Sequence, residues 1–167
     1  EPWMAMSTVL SRAQHGMEAP LVRVEVDLAS GLPRFAIVGL PEAVVRESKD
    51  RVRAAILNCN LRMPDGRITV NLSPADLPKE GGRFDLAIAV GILVAASHLP
   101  AGPFDGVELY GELSLGGDLH GTRGLLPSAL QAVRAGHALV VPAVNGAEAT
   151  LARRAPMVPV ILYPAPV

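Results

Sequence analysis

The sequence predicts an α+β or mixed α/β domain. Three observations lead there. The first forty residues read as strands joined by turns, with clean alternation over Leu21 to Leu28. Helical periodicities and further strands mix only after them. No regular strand–helix–strand repeat runs through the chain, which disfavours a doubly wound sheet. At 167 residues, half of them hydrophobic and only 4% aromatic, the chain can build one sizeable core from Val, Leu, Ile and Ala. A single domain is expected over residues 7–163. The opening Glu1-Pro2-Trp3-Met4-Ala5 lacks an initiating methionine, so residues 1–6 read as a cloning remnant or a disordered start, with a native start at Met4 or Met6. Residues 164–167 read as the beginning of a linker.

Ser7 to Gln14 is a weak first strand. Leu21 to Leu28 places Val22, Val24 and Val26 on one face and Arg23, Glu25 and Asp27 on the other, the pattern of a half-buried antiparallel strand. Ser30-Gly31-Leu32-Pro33 is a turn, and Arg34 to Val38 returns, so a hairpin is expected. Pro41 suits a first helical turn, with Glu42 near the positive end of the dipole. Val44, Val45, Ser48, Val52, Ala55 and Ile56 then follow helical spacing toward a core. Arg46, Lys49 and Arg53 share another face, read as solvated.

Met63-Pro64-Asp65-Gly66 turns into an alternating strand, Arg67 to Ser73. A loop with two prolines and Gly81-Gly82 follows. Phe84 to Ser97 is apolar on nearly every side, as a helix at the centre of a domain must be. Ala101 to Gly106 is a loop, Val107 to Leu115 a strand, and Gly116-Gly117 a tight turn into a short return strand from Asp118. Arg123 to Ala135 reads as a helix facing Leu125, Leu126, Ala129, Leu130 and Val133 inward, and Gly136 stops it. Ala138 to Val141 is a short buried strand. Asn145 and Glu148 resemble a capping box for a helix over Gly146 to Arg153. Val158 to Leu162 is a last strand.

Several chemistries are disfavoured. A net charge of −1 carries no global signal for nucleic acid. Gly-x-x-x-x-Gly-Lys-Ser/Thr and Gly-x-Gly-x-x-Gly are both missing. His15, His98, His120 and His137 lack ligand spacing and Cys59 stands alone, so no metal site is expected. A lone cysteine also fits a reducing cytosol. The longest apolar run, Leu86 to Ala96, is too short to span a bilayer. Lys79, one of only two lysines, is either a functional cation of the central loop or an exposed loop residue paired with Asp76 and Glu80. Asp85 opens the core helix, where a carboxylate caps free N–H groups and favours the dipole. Arg62, Arg67, Lys79, Arg83 and Arg123 would form a local basic patch if the fold gathers them.

Longer stretches then narrow the reading. They are Gly31-Leu32-Pro33 with Ile37-Val38-Gly39-Leu40-Pro41, Glu47-Ser48 with Arg51-Val52-Arg53-Ala54-Ala55-Ile56, and Arg67 through Lys79. Gly82-Arg83-Phe84-Asp85-Leu86, Gly111-Glu112-Leu113-Ser114-Leu115 and Arg123-Gly124-Leu125-Leu126-Pro127 complete the set. In this order they resemble the N-terminal domain of the magnesium-chelatase-like AAA+ ATPases of the ComM (YifB) type. The resemblance implies the Lon protease-domain-like fold of the ribosomal-protein-S5-domain-2-like group. It implies an ATPase module beyond this chain that would bind ATP and Mg2+, with no cofactor in this domain itself. It further implies a homo-hexameric, cytoplasmic DNA helicase that drives branch migration in natural transformation, without contact with a membrane.

Lon uses a Ser–Lys dyad. Against its pattern, Pro78-Lys79-Glu80-Gly81 precedes the nucleophile position, which falls around Arg83 to Asp85 and is taken as Phe84. Arg123-Gly124-Leu125 precedes the lysine position, which is Leu126. With neither nucleophile nor base, that dyad cannot hydrolyse a peptide. The expectation is therefore a non-catalytic domain for assembly and DNA handling, with Lys79, Arg83, Arg123 and Arg67 as the phosphate contacts. The alternatives are a hydrolase with another nucleophile, such as Lys79 with Asp85, or a pure oligomerisation scaffold.

Overall fold

A computed structural model describes residues 4–152 and 160–163 of the chain. Nine strands and four helices follow in the order β1 (Met4–Arg12), β2 (Leu21–Ala29), β3 (Arg34–Val38), α1 (Glu42–Asn58), β4 (Arg67–Ser73), α2 (Asp85–Ala95), β5 (Val107–Leu109), β6 (Glu112–Leu113), β7 (Leu119–His120), α3 (Leu125–Ala135), β8 (Ala138–Pro142), α4 (Gly146–Leu151) and β9 (Val160–Tyr163). Seven strands form one sheet in the order β3-β4-β2-β1-β5-β8-β9, and β6-β7 is a separate ribbon. Only β2 runs against its neighbours, so the sheet is mostly parallel. This is a mixed α/β architecture.

The expected β2–β3 hairpin does not form. β4 inserts between the two, antiparallel to β2 and parallel to β3. A turn-length connection suggested direct pairing. β4 carries Ile68, Val70 and Leu72 inward, and it fits the slot that buries all three. The first strand includes Met4 to Met6, which pair with Ala29, Leu28 and Asp27.

Strand period divides the interior in two. Val107, Leu109 and Val140 join α1, α2 and the inner residues of β2 and β4 in the larger core. Tyr110, Leu139 and Val141 turn to the other side, where α3 and α4 cover them. α2 is buried on nearly every side, as its composition requires. Beyond α3 and α4, the second side of β2, β4 and β3 stays open, with Arg23, Thr69, Arg67 and Arg34 exposed.

Three more expectations shift. The strand expected over Val107 to Leu115 breaks at Gly111, where φ is 149° and a side chain would strike Leu119. The chain there leaves the sheet and starts the β6-β7 ribbon. α3 begins at Leu125 and buries Ser128, Ala129 and Ala132, while Leu126, Leu130 and Val133 are only half-buried. α4 is shorter than expected, ending at Leu151, and the strand start expected at Val158 lies outside the described residues. The face carrying Arg46, Lys49 and Arg53 is partly sheltered, because Lys49 and Arg53 each lie 5.9 Å from the centroid of the Phe35 ring.

Candidate functional site

The elbow after β4 ends at α2, and its residues are held from three sides. Lys79 is only 3% exposed. Its Nζ donates to the carbonyls of Pro74, at 2.5 Å, and Leu77, at 3.0 Å. The ammonium therefore braces its own loop, and burial lowers its pKa. Neither a phosphate-binding surface cation nor an exposed lysine paired with Asp76 describes it.

Arg83 is also interior, at 6% exposure. Its Nη2 donates to Ser128 Oγ at 2.9 Å, and the guanidinium lies 5.5 Å from the Tyr110 ring centroid. Gly111 N–H bonds to the Arg83 carbonyl, and Leu86 N–H bonds to the Gly111 carbonyl. The break in the strand thus stitches the β5–β6 junction to the start of α2.

Asp85 stands in the first turn of α2 but forms no cap with that helix. Its carboxylate accepts from Arg51 Nε at 2.6 Å, Ser48 Oγ at 2.8 Å and Leu113 N at 3.1 Å. The expected cap is corrected to a buried clamp joining α1, α2 and β6. A fully buried carboxylate is better matched by a guanidinium on α1 than by its own helix N–H groups. Burial outweighs these bonds and raises the Asp85 pKa.

Phe84 is 1% exposed and belongs to the larger core. Leu126 packs against the smaller one, and its N–H bonds to Glu148 Oε1 at 2.8 Å. Both positions that the resemblance to Lon singled out therefore carry packing side chains. Asn145 and Glu148 are not a capping box either. Asn145 binds the backbone of Thr122 through both ends of its amide, and Glu148 serves α3.

Arg67 and Arg123 are exposed. The patch expected from Arg62, Arg67, Lys79, Arg83 and Arg123 nevertheless does not assemble, because Lys79 and Arg83 are interior. Arg67 also begins β4, a strand of seven residues and about 20 Å, whereas Lys79 and Arg83 follow its other end. The fold makes a different pair. Arg34 and Arg67 are cross-strand partners in the parallel β3–β4 register and both are exposed on the open side. Glu25, which accepts from Asn71, and Asp27 lie further along that side and separate this pair from Arg23 at the far end of β2.

A second polar centre has no counterpart among the sequence candidates. Glu108 is fully buried and accepts from Arg12 Nε and Nη2 at 2.8 and 3.0 Å, from Tyr110 Oη at 2.6 Å and from His137 Nδ1 at 2.7 Å. Every lone-pair direction of the carboxylate is engaged. An acid inside the apolar run Val107 to Tyr110, and an arginine closing β1, were the available signals. It ties β1, β5 and the α3–β8 junction together and offers no free group for chemistry.

A cavity of about 460 Å3 opens between α1, α2 and the β6-β7 ribbon, lined by groups including Ile56, Leu86, Leu93, Phe104, Leu109 and Leu119. No charged side chain lines it. Ser48 donates to a carboxylate, but it is 1% exposed and Asp85 is committed to Arg51. Among the described residues no cluster of His, Cys, Asp and Glu could hold a metal ion, and no helix is long and apolar enough to cross a membrane.

Residues 24–145 match the family described as subunit ChlI of Mg-chelatase. The chain is 49% identical over 148 residues to the competence protein ComM of Haemophilus influenzae, 89% of this chain and 29% of that protein. Over the same shares of length it is 48% identical to the uncharacterized protein YifB of Salmonella typhimurium and 47% identical to that of Escherichia coli. The chain thus spans less than a third of the curated relatives it matches.

Proposed function

Because this chain belongs to the Mg-chelatase subunit ChlI family, in its ComM/YifB branch, we propose that it is a non-catalytic assembly and DNA-handling domain of a longer ATP-driven motor. In this reading the motor is a cytoplasmic hexamer that drives DNA branch migration during natural transformation. ATP and Mg2+ bind its AAA+ module, to which this domain is joined. The word competence in the name of the Haemophilus relative supports a DNA role. The small share of that relative which this chain spans supports a longer protein.

One observation carries the non-catalytic part. The two positions aligned with the Lon dyad are Phe84, in the larger core, and Leu126, packed against the smaller one. Lys79 and Asp85, the candidates for an alternative nucleophile, are both committed to internal partners. A hydrolase would need one of them free.

The DNA contacts in this reading are Arg34 and Arg67, adjacent and exposed, with Arg123 as a separate contact. They would meet phosphates without reading sequence. The test is binding of labelled single-stranded and forked DNA across a salt series, with mass measured on the same sample. Arg34→Ala with Arg67→Ala should weaken binding and lower the salt slope by about 1 for each arginine removed. No binding at the lowest salt would remove DNA from this domain's work and leave assembly.

A further inference from the structure

Among the described residues three arginines turn their guanidinium groups inward, and the fold treats them differently. Arg12 meets the carboxylate of Glu108 along one edge and the carbonyl of Ala19 along another. Arg51 meets Asp85. Arg83, as deeply buried as Arg12, meets only the oxygen of Ser128 and the face of Tyr110. Its Nε and Nη1 are buried without any hydrogen-bond partner. A guanidinium has no acceptor of its own and does not lose its charge, so only an acceptor brought to it can relieve it. A buried charge without a partner is among the costliest arrangements a fold can hold.

The surroundings are poised for a negative charge. The Ser128 oxygen accepts from Arg83, which leaves its own O–H free to donate. The Tyr110 hydroxyl is already committed to Glu108, so it contributes its ring and not a hydrogen bond. Asp85, two residues on, is neutralised by Arg51. Lys79 adds a second cation to the same loop. Glu112 is the nearby acid to consider. It packs where a Gly82 side chain would stand, but it forms no bond to Arg83.

We propose that Arg83 and Ser128 form a receptor for a small oxyanion, seated where the 74–84 loop, Tyr110 and α3 meet. The ligand is a phosphate or carboxylate group small enough to be enclosed. Nucleic-acid backbone is excluded by the burial of the guanidinium, so the site is separate from the Arg34–Arg67 corner. Entry requires the loop to lift. Pro74, Ala75, Asp76, Pro78, Glu80 and Gly81 are exposed, so the lift is confined to 74–81 and frees Lys79 and the half-buried Leu77, while Gly82 to Phe84 stay anchored. Once seated, the anion holds the loop down.

Thermal unfolding in rising inorganic phosphate tests this, with chloride at matched ionic strength as the baseline and acetate as the carboxylate arm. The chain should gain several degrees, saturably, with phosphate or acetate, and whichever does so identifies the class. Arg83→Met, which keeps the apolar stem, should abolish the gain. Ser128→Ala should weaken the apparent affinity several-fold, and it serves if Arg83→Met does not fold. Amide hydrogen exchange over 78–84 should slow in the presence of the same anion. Absence of a saturable gain with either anion, or an equal gain in Arg83→Met, overturns the proposal. So does a gain that appears only in Glu112→Gln, since Glu112 would then be the native partner of Arg83.

Discussion

Asp85 and Tyr110 each place a titratable group where water cannot reach it, and each makes a measurable prediction. Asp85→Asn leaves Arg51, largely buried, with only the exposed Glu47 carboxylate at 3.7 Å as a paired countercharge. The loss should be about 3 kcal/mol in urea unfolding, the range for breaking a buried pair. Adding Arg51→Met should return about half of it, because the uncompensated charge is then gone. An unchanged loss in the double variant would show that packing, not charge, was at stake. The Tyr110 hydroxyl lies against Glu108, and desolvation with that neighbouring negative charge pushes its pKa well above 10.0. The folded chain then keeps a proton that the unfolded chain releases near pH 10. Stability from this group is complete below about pH 10 and is lost as pH rises beyond it. Tyr110→Phe should be less stable at neutral pH, with a flatter pH dependence above about 10, by the same unfolding measurement.

At the scale of elements, the parallel β3–β4 pair decides the shape of this half of the molecule. Gly39 links β3 to α1 with φ of 98°, and a Cβ there would strike the Leu72 carbonyl. Gly39→Ala should cost roughly 1–3 kcal/mol from backbone strain alone, with more from displacing β4. Gly81→Ala is the control. It has a positive φ too, but open space around it, so it should cost less. Equal losses would mean that the close approach to β4 is unimportant. The same pair also brings Arg34 beside Arg67, a juxtaposition that no spacing along the chain reveals.

For the whole molecule, the elbow that most resembles an active site is sealed. Lys79, Arg83, Phe84 and Asp85 all face inward. Incubation with casein and small esters, with and without ATP, should give no turnover above the buffer rate. Turnover abolished by Lys79→Ala would reverse the non-catalytic reading. Arg34 and Arg67 lie exposed on the open side of the sheet, and Arg123 lies exposed in the loop before α3.

Local patterns determined much of this chain. Alternation marked β2 and β4, unbroken apolarity marked α2 as central, and Gly136 marked the end of α3, because each signal depends on near neighbours. The order of motifs pointed to the family. Tertiary structure alone decided that β4 separates β2 from β3, that Asp85 serves Arg51 instead of its own helix, and that Lys79 and Arg83 are buried. A charged residue in a loop sequence looks exposed until the fold closes over it. Partners such as Arg12 and Glu108, 96 residues apart, meet only when β1 and β5 pair. Burial and long-range charge pairing depend on what the whole sheet brings together, and no stretch of sequence contains that information by itself.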